Sequence, residues 1–172
     1  MRRGALVLFG AASIYGLLWY KAMTEKKTIG GAALDTISAA GQLLTRGLRN
    51  NNPGNIRISG AAWLGKVSPN TDDEFEQFNE AENGIRALVK ILKSYAARGV
   101  DTIERVVRTY APSSENDTES YIRSVEKQTG INRNSKLVYP RDLYAIVPAI
   151  IKHENGINPY TQDTITTGIM RT

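Results

Sequence analysis

The distribution of apolar positions divides this 172-residue chain into three zones. Residues 5–20 carry no charge, lie between Arg2-Arg3 and Lys21, and end on Trp19 and Tyr20. A membrane-crossing helix needs about 20 apolar residues and favours aromatic side chains at its interfaces. The pattern therefore predicts a single N-terminal transmembrane anchor over 1–21. A cleavable signal peptide and a buried core helix are the alternatives. Against the signal peptide, the aromatic pair and Lys21 stand where a small-residue cleavage site is expected. Residues 22–46 are rich in small side chains. Leu34, Ile37 and Leu44 make a weak helical stripe that Gly30-Gly31 and Gly41 interrupt, so the stretch reads as a tether. Residues 47–172 form the third zone, a single domain.

Within that domain the hydrophobic period is first two and then 3.6. Residues 55–59 alternate apolar and polar, Trp63-Leu64 follows the turn at Gly60, and residues 72–78 alternate again with Phe75 and Phe78 inward. These stretches predict a small antiparallel sheet of two or three strands. From Gly84, positions Ile85, Leu88, Val89, Leu92 and Tyr95 mark an amphipathic helix ending near Gly99. Thr102 caps the next, with Ile103, Val106, Val107 and Tyr110 on one face until Pro112. Caps at 116–118 open a third helix closed by Gly130, and residues 141–155 supply a fourth with Pro148 inside it. A sheet followed by four or more helices is an α+β architecture with segregated parts.

Charge and composition narrow the partners. Without cysteine there are no disulfides or thiolate metal sites, and a single histidine, His153, makes a Ser-His-Asp triad or a multi-histidine metal site a poor fit. No cofactor or metal is expected. A net charge of +5 favours anionic partners, among them cell-wall polymer and the lipid bilayer. Nucleic acid ranks last, because the basic residues are scattered.

Two stretches carry the candidate chemistry. Residues 47–57 (GLRNNNPGNIR) cannot be interior helix or central strand, since asparagine, proline and glycine together dictate a shaped polar loop. Asn51, Asn52, Asn55 and Arg57 there could hydrogen-bond acetamido or lactyl groups, or simply form the turn. Glu154 closes the most apolar helix just before Asn155-Gly156-Ile157-Asn158-Pro159-Tyr160. At that position desolvation and the helix dipole both favour a protonated carboxyl suited to general acid catalysis. An exposed glutamate in a fraying last turn is the plainer alternative.

Residues 150–160 (IIKHENGINPY) resemble the catalytic-glutamate signature of lytic transglycosylases of the lysozyme superfamily. The chain departs from it in having Asn155 where serine is usual and in placing the motif last, which implies a circular permutation. Residues 49–57, Trp63-x-Gly65, Phe75-x-x-Phe78, 84–87 and 110–116 together resemble a group of bacteriophage virion structural proteins and virion-associated peptidoglycan-degrading enzymes. These resemblances imply a lysozyme-like domain over 47–172 that cleaves glycan strands with Glu154, opening the cell wall during genome delivery. Glu76, or its neighbour Glu74, is the second acid if one is used. Trp63, Tyr110 and Tyr160 could stack on sugars or pack in the core. Implied partners are peptidoglycan, the bilayer and other virion proteins, in a single-pass protein of the virion membrane or host envelope. The alternative is a non-catalytic structural virion membrane protein with a wall-binding module.

Overall fold

Six helices are present among the described residues, 44–112 and 117–172 of the computed structural model: α1 (Arg46–Arg49), α2 (Ala81–Ala97), α3 (Ile103–Tyr110), α4 (Thr118–Thr129), α5 (Leu143–Asn155) and α6 (Gln162–Met170). The anchor expected at 1–21, and the tether except for its last residues, lie outside these. Helices α2 to α5 form where the 3.6 period predicts them. Thr102 caps α3 by accepting from the Arg105 amide at 3.2 Å, and Asp117 caps α4 by accepting from Ser120 N at 3.0 Å. Left-handed Gly130 and Gly156 terminate α4 and α5. Pro148 does not split α5, which runs through it. The start of α2 lies almost one turn before Gly84.

The helical faces converge on one core. Ile85, Leu88, Val89 and Leu92 of α2 meet Val106 and Val107 of α3, Ile122 and Val125 of α4, and Ile146, Ile150 and Ile151 of α5. Helix α6 was not foreseen. It packs along α2, with Ile165 and Ile169 buried and Gly168 so close to Ile85 that a methyl group there would overlap it. Its N-terminus is capped by Thr161, which accepts from Thr164 N at 3.2 Å.

The expected α+β class is corrected by the structure: the described residues are mostly helical and contain no strand. The stretches predicted as a sheet do meet, but only as isolated antiparallel bridges, Arg57 with Phe75 and Lys66 with Phe78. Ile58 N donates to Glu74 O and Glu76 N to Ile56 O, both at 2.9 Å; the next alternate amide, Phe78 N, turns instead to Asn50 O at 2.9 Å. The asparagine loop thus captures the amide that would have extended the ladder. The facing is corrected as well. Glu76 and Phe78 are the inward pair, whereas Phe75 is half-buried beneath two guanidinium groups, Arg46 at 4.7 Å and Arg57 at 5.5 Å from its ring centre.

The single-pass membrane localisation is corrected too. Among the described residues no helix is long and apolar enough to cross a membrane.

Candidate functional site

The asparagine loop is built from the inside by its own side chains. Asn52 is fully buried. Its amide donates to the carbonyls of Ile56 and Glu76, both at 2.9 Å, and its oxygen accepts from Ile56 N at 2.9 Å. Asn51 adopts a left-handed backbone (φ 49°), which asparagine tolerates, and donates to Phe78 O at 3.0 Å. Both side chains are therefore occupied in shaping the loop. Replacing Asn52 by alanine strands the Glu76 carbonyl and the Ile56 amide in a dry interior, while the Ile56 carbonyl keeps the Glu76 amide as donor. The change is expected to cost about 2–3 kcal/mol, read as a lower urea midpoint.

Asn55 is also left-handed (φ 49°), but its amide leaves the loop and donates to Glu154 Oε2 at 2.9 Å. The two stretches singled out by the sequence, 99 residues apart, thus meet at one carboxyl group. The Tyr121 hydroxyl of α4 donates to the other oxygen, Oε1, at 2.8 Å. The imidazole of His153 stacks on the Tyr121 ring, centroids 3.6 Å apart and planes 16° from parallel, fixing the phenol in place. A phenol accepts as well as donates, so the Tyr121 contact suits either protonation state of the carboxyl.

Asn155 clasps the helix end to the loop. It is buried, its amide donates to Pro53 O at 2.8 Å and to Ile151 O at 2.9 Å, and its oxygen accepts from Thr45 at 2.6 Å. Serine, usual after the glutamate in the resembling motif, has neither the second polar atom nor the reach for this bridge. The Tyr110 hydroxyl donates to Gly54 O, supporting the loop from α3. Burial and then the negative charge of Glu154 push the hydroxyls of Tyr110 and Tyr121 well above their usual ionisation range, so both remain phenols. Burial lowers the pKa of His153, against an opposing pull from Glu154 and Asp117.

Glu76 has different partners. Its side chain is fully buried, one oxygen accepts from Ser59 N at 2.9 Å, and Lys66 Nζ stands 3.0 and 2.9 Å from the two oxygens. It shares no side-chain partner with Glu154. Tyr160 is partly buried; burial first and the nearby charge of Glu82 second raise its pKa.

Arg57 and Trp63 belong to a third feature, an open groove of about 460 Å³ between the bridged segment and the second half of α2. Lys90, Ile91, Ser94 and Tyr95 line its helical side. Glu154 is not among its lining residues. Tyr110 lines neither side of the groove; Tyr95 and Glu154 are both close enough to it for a negative charge on either to oppose its ionisation.

The start of the unit is tied down electrostatically. Arg46 forks onto Asp72 with two contacts of 2.7 Å and also reaches Asp73 and Glu74, at 2.6 and 2.5 Å. The Arg46 hydrogen bonds hold the Asp72 carboxyl far below the usual carboxylate range. Its stabilising contribution is therefore complete above the unfolded-state value of about 4 and disappears as pH falls through the lower folded-state range. Thermal midpoints measured downward from about pH 4 should fall, and less steeply in Asp72→Asn.

No protein-family profile matches the chain. It is 47% identical over 130 residues to Protein P5 of Pseudoalteromonas phage PM2, covering 72% of this chain and 79% of that protein. The chain belongs to the P5 family. That membership supports the bacteriophage structural-protein setting, and with it contacts to other phage proteins, implied by the ordered motifs of residues 47–116. Within this P5-family chain, Tyr121, Asn155, Lys66, Lys90 and Tyr95 are among the site-forming residues that the sequence does not single out for such roles. Tyr121 reads as a core aromatic because its stripe is apolar; only its hydroxyl signals a need for a polar partner.

Proposed function

We propose that this P5-family protein acts in the virion as a peptidoglycan lytic transglycosylase, cleaving between N-acetylmuramic acid and N-acetylglucosamine. The observation that carries this reading is the 2.9 Å contact between Asn55 of the loop and Glu154 at the end of α5. Glu154 delivers its proton to the glycosidic oxygen as the bond from that oxygen to the muramyl C1 breaks. The resulting carboxylate takes the proton of the muramyl 6-hydroxyl, whose oxygen bonds to C1 and closes a 1,6-anhydro ring. Asn55 and Tyr121 hold the two carboxyl oxygens in a fixed orientation during both transfers. Arg57, Trp63, Tyr110 and Tyr160 are the candidate contacts to the polymer, and Asn51 and Asn52 act through the loop they shape.

A muramidase course would enlist Glu76 as second acid. That carboxylate would first have to leave Lys66 and Ser59, so the one-carboxylate course is the better supported. A non-catalytic structural role is the second reading. The observation favouring it is that both oxygens of Glu154 already have protein donors, making the residue a clasp between α4, α5 and the loop. Incubation of the purified protein with cell-wall sacculi separates the two: release of soluble fragments supports cleavage, and intact sacculi support the clasp.

A further inference from the structure

We infer that the groove between the bridged segment and α2 binds the carboxylate-bearing peptide stem of peptidoglycan rather than its sugars, so that the protein reads the cross-linkable polymer and not the bare glycan. This deepens the proposed cleavage and rests on that reading for the identity of the polymer. The groove combines three properties that a sugar alone does not use together. Its walls are apolar and aromatic, through Ile56, Ile91, Trp63 and Tyr95. Two cations, Arg57 and Lys90, stand on opposite sides of it, one from the bridged segment and one from α2. No acidic side chain is among its lining residues.

Charge complementarity selects an anion with apolar substituents. Lys90 is exposed and has no hydrogen-bond or ion-pair partner among the described residues, and no acid lies one turn away on α2, where Arg86 and Ser94 flank it. An ammonium group kept free beside an apolar groove is available to a ligand carboxylate. A peptide of alanine methyls and free carboxylates, joined to the muramyl lactyl group, fits both the walls and the charges. The groove volume of about 460 Å³ is enough for a short peptide.

The test is calorimetric binding by the full chain carrying Glu154→Gln, so that affinity is read without turnover. The probes are the disaccharide-tetrapeptide muropeptide and the same disaccharide with its lactyl carboxyl capped as a primary amide, since removing the peptide alone would leave a carboxylate behind. The peptide-bearing probe should bind about tenfold tighter, and Lys90→Gln should remove most of that advantage while leaving the peptide-free affinity unchanged. Lys90 is exposed, so this variant should keep the parent's thermal midpoint. Equal affinities, no binding of either probe, or an advantage that survives Lys90→Gln would overturn the assignment. Stem-dependent binding in a protein that leaves sacculi intact would keep the groove assignment and refute the cleavage. Cleavage with equal affinities for the two probes would do the reverse.

Discussion

Glu154→Gln is expected to slow the release of soluble fragments from sacculi by about a thousandfold, the scale of losing a general acid and base. Glutamine fills the same volume but can neither give up nor take the proton. The variant should remain folded. Its amide oxygen still accepts from one of the two donors that now reach the carboxyl. The Tyr121 hydroxyl, which can turn to accept, accommodates the new N–H group. Stability should fall by about 1 kcal/mol at most, since both side-chain contacts persist as neutral hydrogen bonds. The measurement is a digestion time course with a thermal midpoint for each protein. A variant that digests at the parental rate would remove Glu154 from the chemistry and leave it as the clasp.

The second large effect is structural. Gly84 lies inside α2, where alanine would ordinarily stabilise a helix by about 1 kcal/mol. Here the sign reverses. A β-carbon at Gly84 would overlap the main-chain oxygen of Asn51 and come within 3.0 Å of both its carbonyl carbon and Pro53 Cδ. These are backbone and ring atoms of a loop pinned by Asn52 and Asn155, so they cannot move aside as a flexible side chain would. Gly84→Ala should therefore destabilise by about 3 kcal/mol or more, at the upper end of what overpacking does. Urea denaturation reads this as a lower midpoint. Because the same loop carries Asn55, the contact to Glu154 should be disturbed before the helical core is lost.

These two positions also illustrate what the sequence could and could not convey. The helices α2 to α5 are legible because each presents several apolar residues at 3.6 spacing and is closed by recognisable caps. Helix α6 offers only Ile165 and Ile169 beside Gly168, and that glycine signals close packing only once Ile85 is known to face it. The bridged segment misleads because Phe75 reads as a core residue, while Arg46 and Arg57 cover it and Glu76 takes the buried place. A fully buried carboxylate is costly unless paired, and the pairing depends on Lys66, whose role no local pattern announces.

The candidate site was legible in halves. The asparagine loop stands out through residue types that exclude regular structure, and Glu154 through its place at the end of an apolar helix. Their meeting depends on tertiary packing, namely Asn155 bridging to Pro53 and Tyr110 reaching Gly54. The loop was expected to offer several asparagines as a recognition surface. Asn51 and Asn52 turn inward to build it, and Asn55 alone of these three faces the carboxyl group.

The most direct test of the central claim, that one carboxylate both protonates the leaving oxygen and closes the ring, is mass analysis of fragments released from sacculi in isotopically labelled water. Glu154 acting alone predicts muramyl ends in the 1,6-anhydro form, lighter by one water and free of the label. Reducing ends that carry the label, or no soluble fragments at all, would contradict it.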